Sequence, residues 1–253
     1  MFRILVRWFI VCYLWAWLVL TSCAQSLIVG IPSADVAEPH HLEITHESQW
    51  NFWENGLKWN SFNFACYGIG HNTEITSALN NLNNEGSTNL ALGLGAKKVF
   101  PLFGTYEKLK EIKLTVGSNL LFSERKREFG IWIYGHVSGR IPATRTRLTV
   151  GGSYGTYQAF GFRRLLLANG DMALDPRDPA SLMLGFEQPI THRVSIIGDW
   201  FSGIHDLAAF IPALQVDVKK HVLIFGYKFP HPQTGSQALI LECMFSIPLK
   251  KQH

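Results

Sequence analysis

Apolar and polar residues alternate along most of this chain in short bursts. β-branched and aromatic residues recur at every second position between clusters of Gly, Pro, Asn, Asp and Ser. That period puts successive side chains on opposite faces of a strand. It predicts about twelve strands, over residues 41–50, 59–68, 73–82, 89–99, 110–121, 129–138, 145–158, 181–188, 193–201, 206–216, 221–229 and 237–245. Helical periodicity is scarce; 163–167 reads as a turn of helix inside a connection. The connections at 69–72, 139–144, 189–192 and 217–220 are short. Those at 51–58, 83–88, 122–128, 161–180 and 230–236 are longer, with a short exception at 202–205 and a long one at 100–108. An even strand count, with short turns collected at one end and longer loops at the other, is the pattern of a transmembrane, antiparallel up-and-down β-barrel.

Face assignment follows from the same alternation. Trp132, Tyr134, His136 and Ser138 oppose Ile131, Ile133, Gly135 and Val137; Arg145, Arg147, Thr149 and Ser153 oppose Leu148, Val150 and Tyr154. Pairing Ser138 with Arg145 sets His136 beside Arg147 and Ile133 beside Val150. Leu182, Leu184 and Phe186 oppose Met183, Gly185 and Glu187, and Ile196 and Trp200 oppose Ile197 and Asp199. A charge on a lipid-covered face costs about 2–4 kcal/mol for Arg or Lys at mid-bilayer. Arg145, Arg147, Glu187, Asp199, Tyr134 and His136 are therefore expected to line the lumen.

Only 17% of residues are charged and mean hydropathy is +0.08. The first value is low for a soluble domain and the second low for a helical membrane protein, while a barrel with a polar lumen falls between. The +4 net charge forms no basic stripe, so nucleic acid is not an expected partner. Residues 1–24 read as a secretory signal: Arg3 and Arg7, an apolar centre from Trp8 to Leu20, and small residues at the exit. Residues 25–253 then form a single barrel domain. Leu20-Thr21-Ser22-Cys23 fits a lipobox, with cleavage before Cys23 and acylation of its thiol; Ser22-Cys23-Ala24 equally fits ordinary cleavage after Ala24. Cys66 and Cys243 fall on next-but-one strands, too far apart for a disulfide.

These features resemble bacterial outer-membrane β-barrel proteins of the porin and transport type. The final strand, Ala238-Leu239-Ile240-Leu241-Glu242-Cys243-Met244-Phe245, is similar to a barrel-assembly signal, although Ser246–His253 follow its aromatic. Asn72-Thr73-Glu74-Ile75 is loosely similar to a segment of barrels associated with aromatic-compound degradation. The resemblance implies an outer-membrane location, contact with membrane lipids and with the barrel-assembly machinery, and passage of a small solute.

His136-Val137-Ser138 is the motif singled out for chemistry. It resembles the His-x-Ser of outer-membrane phospholipases and lipid A deacylases, and a period of two sets both side chains on one face. The expected register supplies Arg147 rather than an orienting carboxylate or amide, and polarity turns the pair inward. A lipid esterase built on His136 and Ser138 is thus the alternative to a pore, beside a non-catalytic surface barrel and a soluble β-sandwich. His40, His41 and His46 read as solvated N-terminal residues rather than metal ligands. Arg125, Lys126 and Arg127 read as a charged loop, and Trp50, Trp53, Trp59 and Tyr67 as part of an aromatic girdle. No residue pattern calls for a cofactor or metal.

Overall fold

In a computed structural model, the described residues are 27–53, 58–80, 91–102, 112–123, 127–160, 163–167, 169–175, 180–205, 207–232 and 236–249. The signal segment, Cys23, Arg125 and Lys126 lie outside them. The strands are β1 (His41–Asn51), β2 (Lys58–Gly70), β3 (Thr73–Asn80), β4 (Ala91–Pro101), β5 (Lys113–Ser123), β6 (Glu128–Arg140) and β7 (Arg147–Gly155). A short helix α1 (Tyr157–Phe160) and a small hairpin, β8 (Arg163–Leu166) with β9 (Met172–Asp175), follow. Then come β10 (Ala180–Pro189), β11 (Val194–Phe201), β12 (Ala209–Val218), β13 (His221–Pro230) and β14 (Ala238–Pro248). Twelve of these strands close into one antiparallel barrel, each beside its chain neighbour, with β10 following β7 and β14 sealing against β1.

The alternation has a physical cause. Leu148, Val150, Leu182 and Leu184 are 51%, 58%, 60% and 43% exposed, whereas Arg147, Thr149, Ser181 and Met183 on the same strands are buried. Among the described residues, no protein layer covers these outward side chains. A continuous apolar belt of this size is out of place in water and suits hydrocarbon. Tight turns close the barrel at one end. His71 and Asn72 both take positive φ (52° and 55°) between β2 and β3, the backbone of a two-residue hairpin turn that matches strand twist.

Three expectations are corrected. Residues 163–166 are a strand paired with 172–175, not a turn of helix; a four-residue segment gains little from isolated helix formation and pairs instead. The helix lies at Tyr157–Phe160, where a strand was expected to continue. The β6–β7 register differs by four residues: Ser138 pairs with Thr149, Val137 with Val150, and Arg140 with Arg147. An even slip conserves the faces, which is why polarity alone could not detect it. Arg145 consequently leaves the lumen wall. It sits exposed in the 141–146 turn at φ 59°.

Candidate functional site: the occupied lumen

The lumen is filled by the chain's own N-terminal segment. Residues 27–38 run inside the barrel before His41 begins β1. Leu27 and Pro32 bridge across a tight loop, closed by Ile28 N–H to Ile31 O at 2.9 Å. Ile28, Val29 and Ile31 are buried against Met183, Ile197, Phe201 and Ile211 of the wall. Within this apolar contact, one oxygen of Asp199 accepts three backbone N–H groups: Val29 at 3.0 Å, Gly30 at 2.7 Å and Ile31 at 3.1 Å. Successive amides converging on one carboxylate form an anion nest. Gly185 lets the segment lie against β10, since a Cβ there would stand 2.5 Å from Ile28 Cδ1.

A second latch lies nearer the short-turn end. Asp35 meets Arg147 Nη1 at 2.5 Å and Lys113 Nζ at 2.9 Å. Arg147 also faces Glu187 at 3.3 Å. Lys97 Nζ donates to the Asp35 carbonyl at 2.6 Å and pairs with Glu74 at 3.1 Å, while Glu74 accepts from Ala37 N–H at 2.7 Å. Burial by itself would push the Asp35 carboxyl up; the Arg147 guanidinium and Lys113 ammonium outweigh it and hold it down at about 2. The chain leaves the lumen across β2, where Pro39 bridges Gly68 and His40 N–H donates to Gly68 O at 2.8 Å.

Toward the longer loops a cavity of about 190 Å³ remains, with Phe62, Phe64, Trp132, Tyr134 and Phe201 among its walls. Phe160 of α1 folds over this region and stacks on His205 at 4.9 Å between ring centres. Ser181 Oγ and His205 Nε2 are 2.7 Å apart, and the same nitrogen is 2.9 Å from the Ser202 carbonyl. Burial pulls His205 down to about 4, against the upward pull of that carbonyl.

The structure thus places Tyr134, His136, Arg147, Glu187 and Asp199 on the inner wall and groups Arg147 with Glu187. His136 Nδ1 lies 3.3 Å from Ser138 Oγ, and Ser138 is also 2.7 Å from Thr149 Oγ1. Both are buried in the lumen, away from lipid. No orienting group is hydrogen-bonded to His136 Nε2 among the described residues. Gly151, not Arg147, stands opposite His136. His40 approaches the Tyr67 hydroxyl at 3.3 Å, and His41 lies 3.4 Å from Glu38. His46 lies on β1 with an exposed side chain, and its ring is bonded at both nitrogens. Trp50 and Trp59 pair across β1 and β2 at the longer-loop end, whereas Tyr67 lies at the other end. Cys66 faces the lumen, and neither it nor Cys243 forms a disulfide.

Sequence reasoning missed the internal segment. Its signal was present: Leu27-Ile28-Val29-Gly30-Ile31 is an apolar run, and Asp35 follows it before the first strand.

No protein-family signature matches this sequence, and no curated protein does. Solved structures do. An outer membrane channel from Pseudomonas putida F1 superposes with a TM-score of 0.53 at 7% identity, over 85% of this chain and 98% of that one. The NanC porin gives 0.49 at 12% identity, over 83% and 99%. The translocator domain of the autotransporter NalP from Neisseria meningitidis gives 0.44 at 10%, over 81% and 87%. At such identities the likeness concerns the fold alone: the chain adopts a closed antiparallel barrel similar to that of the Pseudomonas channel.

Proposed function

We propose that the protein is a small-solute channel of the bacterial outer membrane, closed at rest by its own residues 27–38. The observation that carries this reading is the double polar latch on that segment, at Asp199 and at Asp35. A segment serving only to fill space would be held by apolar contact alone; this one is also held by groups that can exchange partners with water. The wall behind it is wide enough to conduct. Twelve strands spaced about 4.8 Å apart and tilted about 40° give a circumference of roughly 75 Å and a backbone radius of about 12 Å.

The barrel's short turns would face the periplasm and its longer loops the exterior. The aromatic cavity beyond the latched segment suits a small apolar solute, and Arg147 and Glu187 would set ion preference once Asp35 withdraws. Planar-bilayer recording tests the proposal. The folded barrel should conduct in discrete, rare steps, and Asp35→Ala with Asp199→Ala should make them frequent. Reversing charge at Arg147 should alter ion preference in the opened variant. Silence from a doubly substituted barrel that still shows heat-modifiable gel mobility would end this reading.

A further inference from the structure

The outer wall carries a second cluster that the channel does not use. On β1, Glu43, Thr45 and Glu47 face the lumen, so Ile44, His46 and Ser48 lie on the opposite face; Ile44 and His46 are exposed there, and Ser48 is 4% exposed beside them. On the neighbouring β2, Asn63 stands directly opposite His46, and Ser61 opposite Ser48. His46 Nε2 lies 2.9 Å from Ser48 Oγ, and His46 Nδ1 lies 2.8 Å from Asn63 Oδ1. The Asn63 amide is oriented independently: its Nδ2 donates to the Leu79 carbonyl at 3.3 Å, which turns Oδ1 toward the ring. Nδ1–H then donates to Asn63, and Nε2 keeps its lone pair for the Ser48 hydroxyl. These are the contacts and the tautomer a nucleophilic serine requires.

We infer that Ser48, His46 and Asn63 form a serine acyl-hydrolase centre on the lipid-facing wall, acting on fatty-acyl esters of membrane lipids. Position selects the substrate. Ser48 lies three residues short of the end of β1 at Asn51, about 10 Å along the strand, and two residues inward of Trp50. The Trp50–Trp59 pair marks the bilayer interface on the longer-loop side, so the serine lies at the depth where lipid ester carbonyls meet the headgroups. Ile44, Leu239 and Phe245 are 40%, 42% and 45% exposed on the adjoining wall, a surface on which an acyl chain can lie.

In the reaction, Ser48 Oγ attacks the ester carbonyl carbon and its proton passes to His46 Nε2. The carbon–oxygen bond to the lipid alcohol breaks as Nε2 returns that proton to the leaving oxygen, leaving acyl-Ser48. Water then attacks the acyl carbon, gives a proton to Nε2 and releases the fatty acid, and Ser48 Oγ recovers its hydrogen. Ser48 and His46 are the catalytic pair; Asn63 positions His46.

Glycerophospholipid and lipopolysaccharide both present such esters. The full-length barrel is folded into phosphatidylcholine vesicles, with and without lipopolysaccharide, and fatty-acid release is measured. Release in either set, lost at least 100-fold in Ser48→Ala, supports the centre and identifies the lipid. A fluorophosphonate adduct should map to Ser48. Asn63→Leu should lower kcat tenfold or more at similar KM, with Asn63→Asp restoring most of it. Absence of both release and adduct in a barrel with heat-modifiable mobility, or release that persists in Ser48→Ala, overturns the inference. Conductance is read separately on the same Ser48→Ala barrel, so the channel can stand or fall on its own.

Discussion

Replacing Asp199 by Ala removes one carboxylate and leaves three amides, those of Val29, Gly30 and Ile31, without their acceptor inside the lumen. Hydrogen bonds to a charged group contribute about 1.5–3 kcal/mol each, so simple addition gives about 5–9 kcal/mol. That sum overshoots, because bonds sharing one acceptor are not additive and water entering the lumen satisfies part of the loss. A net cost of about 3 kcal/mol is the working figure, which is roughly a hundredfold in equilibrium. The segment should loosen without leaving. Ile28, Val29 and Ile31 are at most 2% exposed, and burial of such side chains is worth about 1.5–3 kcal/mol each. The second latch at Asp35 is also untouched. Hydrogen exchange on the barrel in detergent tests this. Amides 29–31 should exchange about a hundredfold faster in Asp199→Ala, and about tenfold faster in Asp199→Asn, which keeps an acceptor but loses the charge. The Ala37 amide, bonded to Glu74, should hardly change. Exchange at 29–31 within threefold of the parent would refute the latch, and equal acceleration at Ala37 would show a general loosening instead.

Gly68→Ala should be more damaging, because a Cβ there would stand 2.2 Å from the Glu38 carbonyl oxygen and 2.4 Å from that of Ala37; overpacking of this kind costs about 1–3 kcal/mol, and the variant should unfold at lower urea and release residues 27–38 to protease. Val150→Lys puts a charge at a belt position that is 58% exposed, and a loss of about 2–4 kcal/mol in barrel stability is expected if the position lies near mid-bilayer; an unchanged urea midpoint in lipid would count against hydrocarbon as its surroundings. Asp35 sits at about 2 in the seated segment against 3.8 when free, so its latch contributes about 2 kcal/mol above pH 4 and fades as pH falls toward 2. Conductance should therefore rise as pH falls below about 3, and a rise that persists unchanged in Asp35→Asn would contradict the ion pair. His205 sits at about 4 against an ordinary 6.5, so it stays neutral where the unfolded connection takes a proton. Residues 202–208 should lose up to about 3 kcal/mol of local stability between pH 6.5 and 4, read as faster protease nicking that His205→Leu makes insensitive to pH.

Strand count and facing were legible because both depend on local alternation. Hydrocarbon outside and a polar lumen inside leave Leu148 and Arg147 only one way round. The residues that meet across strands were not legible. Pairing 138 with 145 and pairing it with 149 give the same two faces, and only the extension of β6 to Arg140 separates them. That difference took Arg145 off the wall and moved Arg147 from beside His136 to a position opposite Arg140. The internal segment was hidden for another reason. Its apolar stretch is too short to alternate as a strand, and its charged partners, Lys113, Arg147 and Asp199, are 78, 112 and 168–170 residues away in sequence.

The two His-x-Ser pairs make the same point about sites. His136 and Ser138 and His46 and Ser48 have identical spacing, and each sets imidazole and hydroxyl on one strand face. Parity turns the first pair inward, where Ser138 is shared with Thr149 and His136 Nε2 has no group to orient it among the described residues. It places the second pair on the outer face of the wall, with His46 exposed and Ser48 4% exposed beside it, and pairing with β2 sets Asn63, seventeen residues on, on the other nitrogen of His46. Spacing proposes a nucleophile; strand register decides whether a third group completes it, and facing decides what it can touch. If Asn63→Leu left hydrolysis as fast as in the parent while Ser48→Ala abolished it, the third group would be dispensable and the case for register as the deciding term would fail.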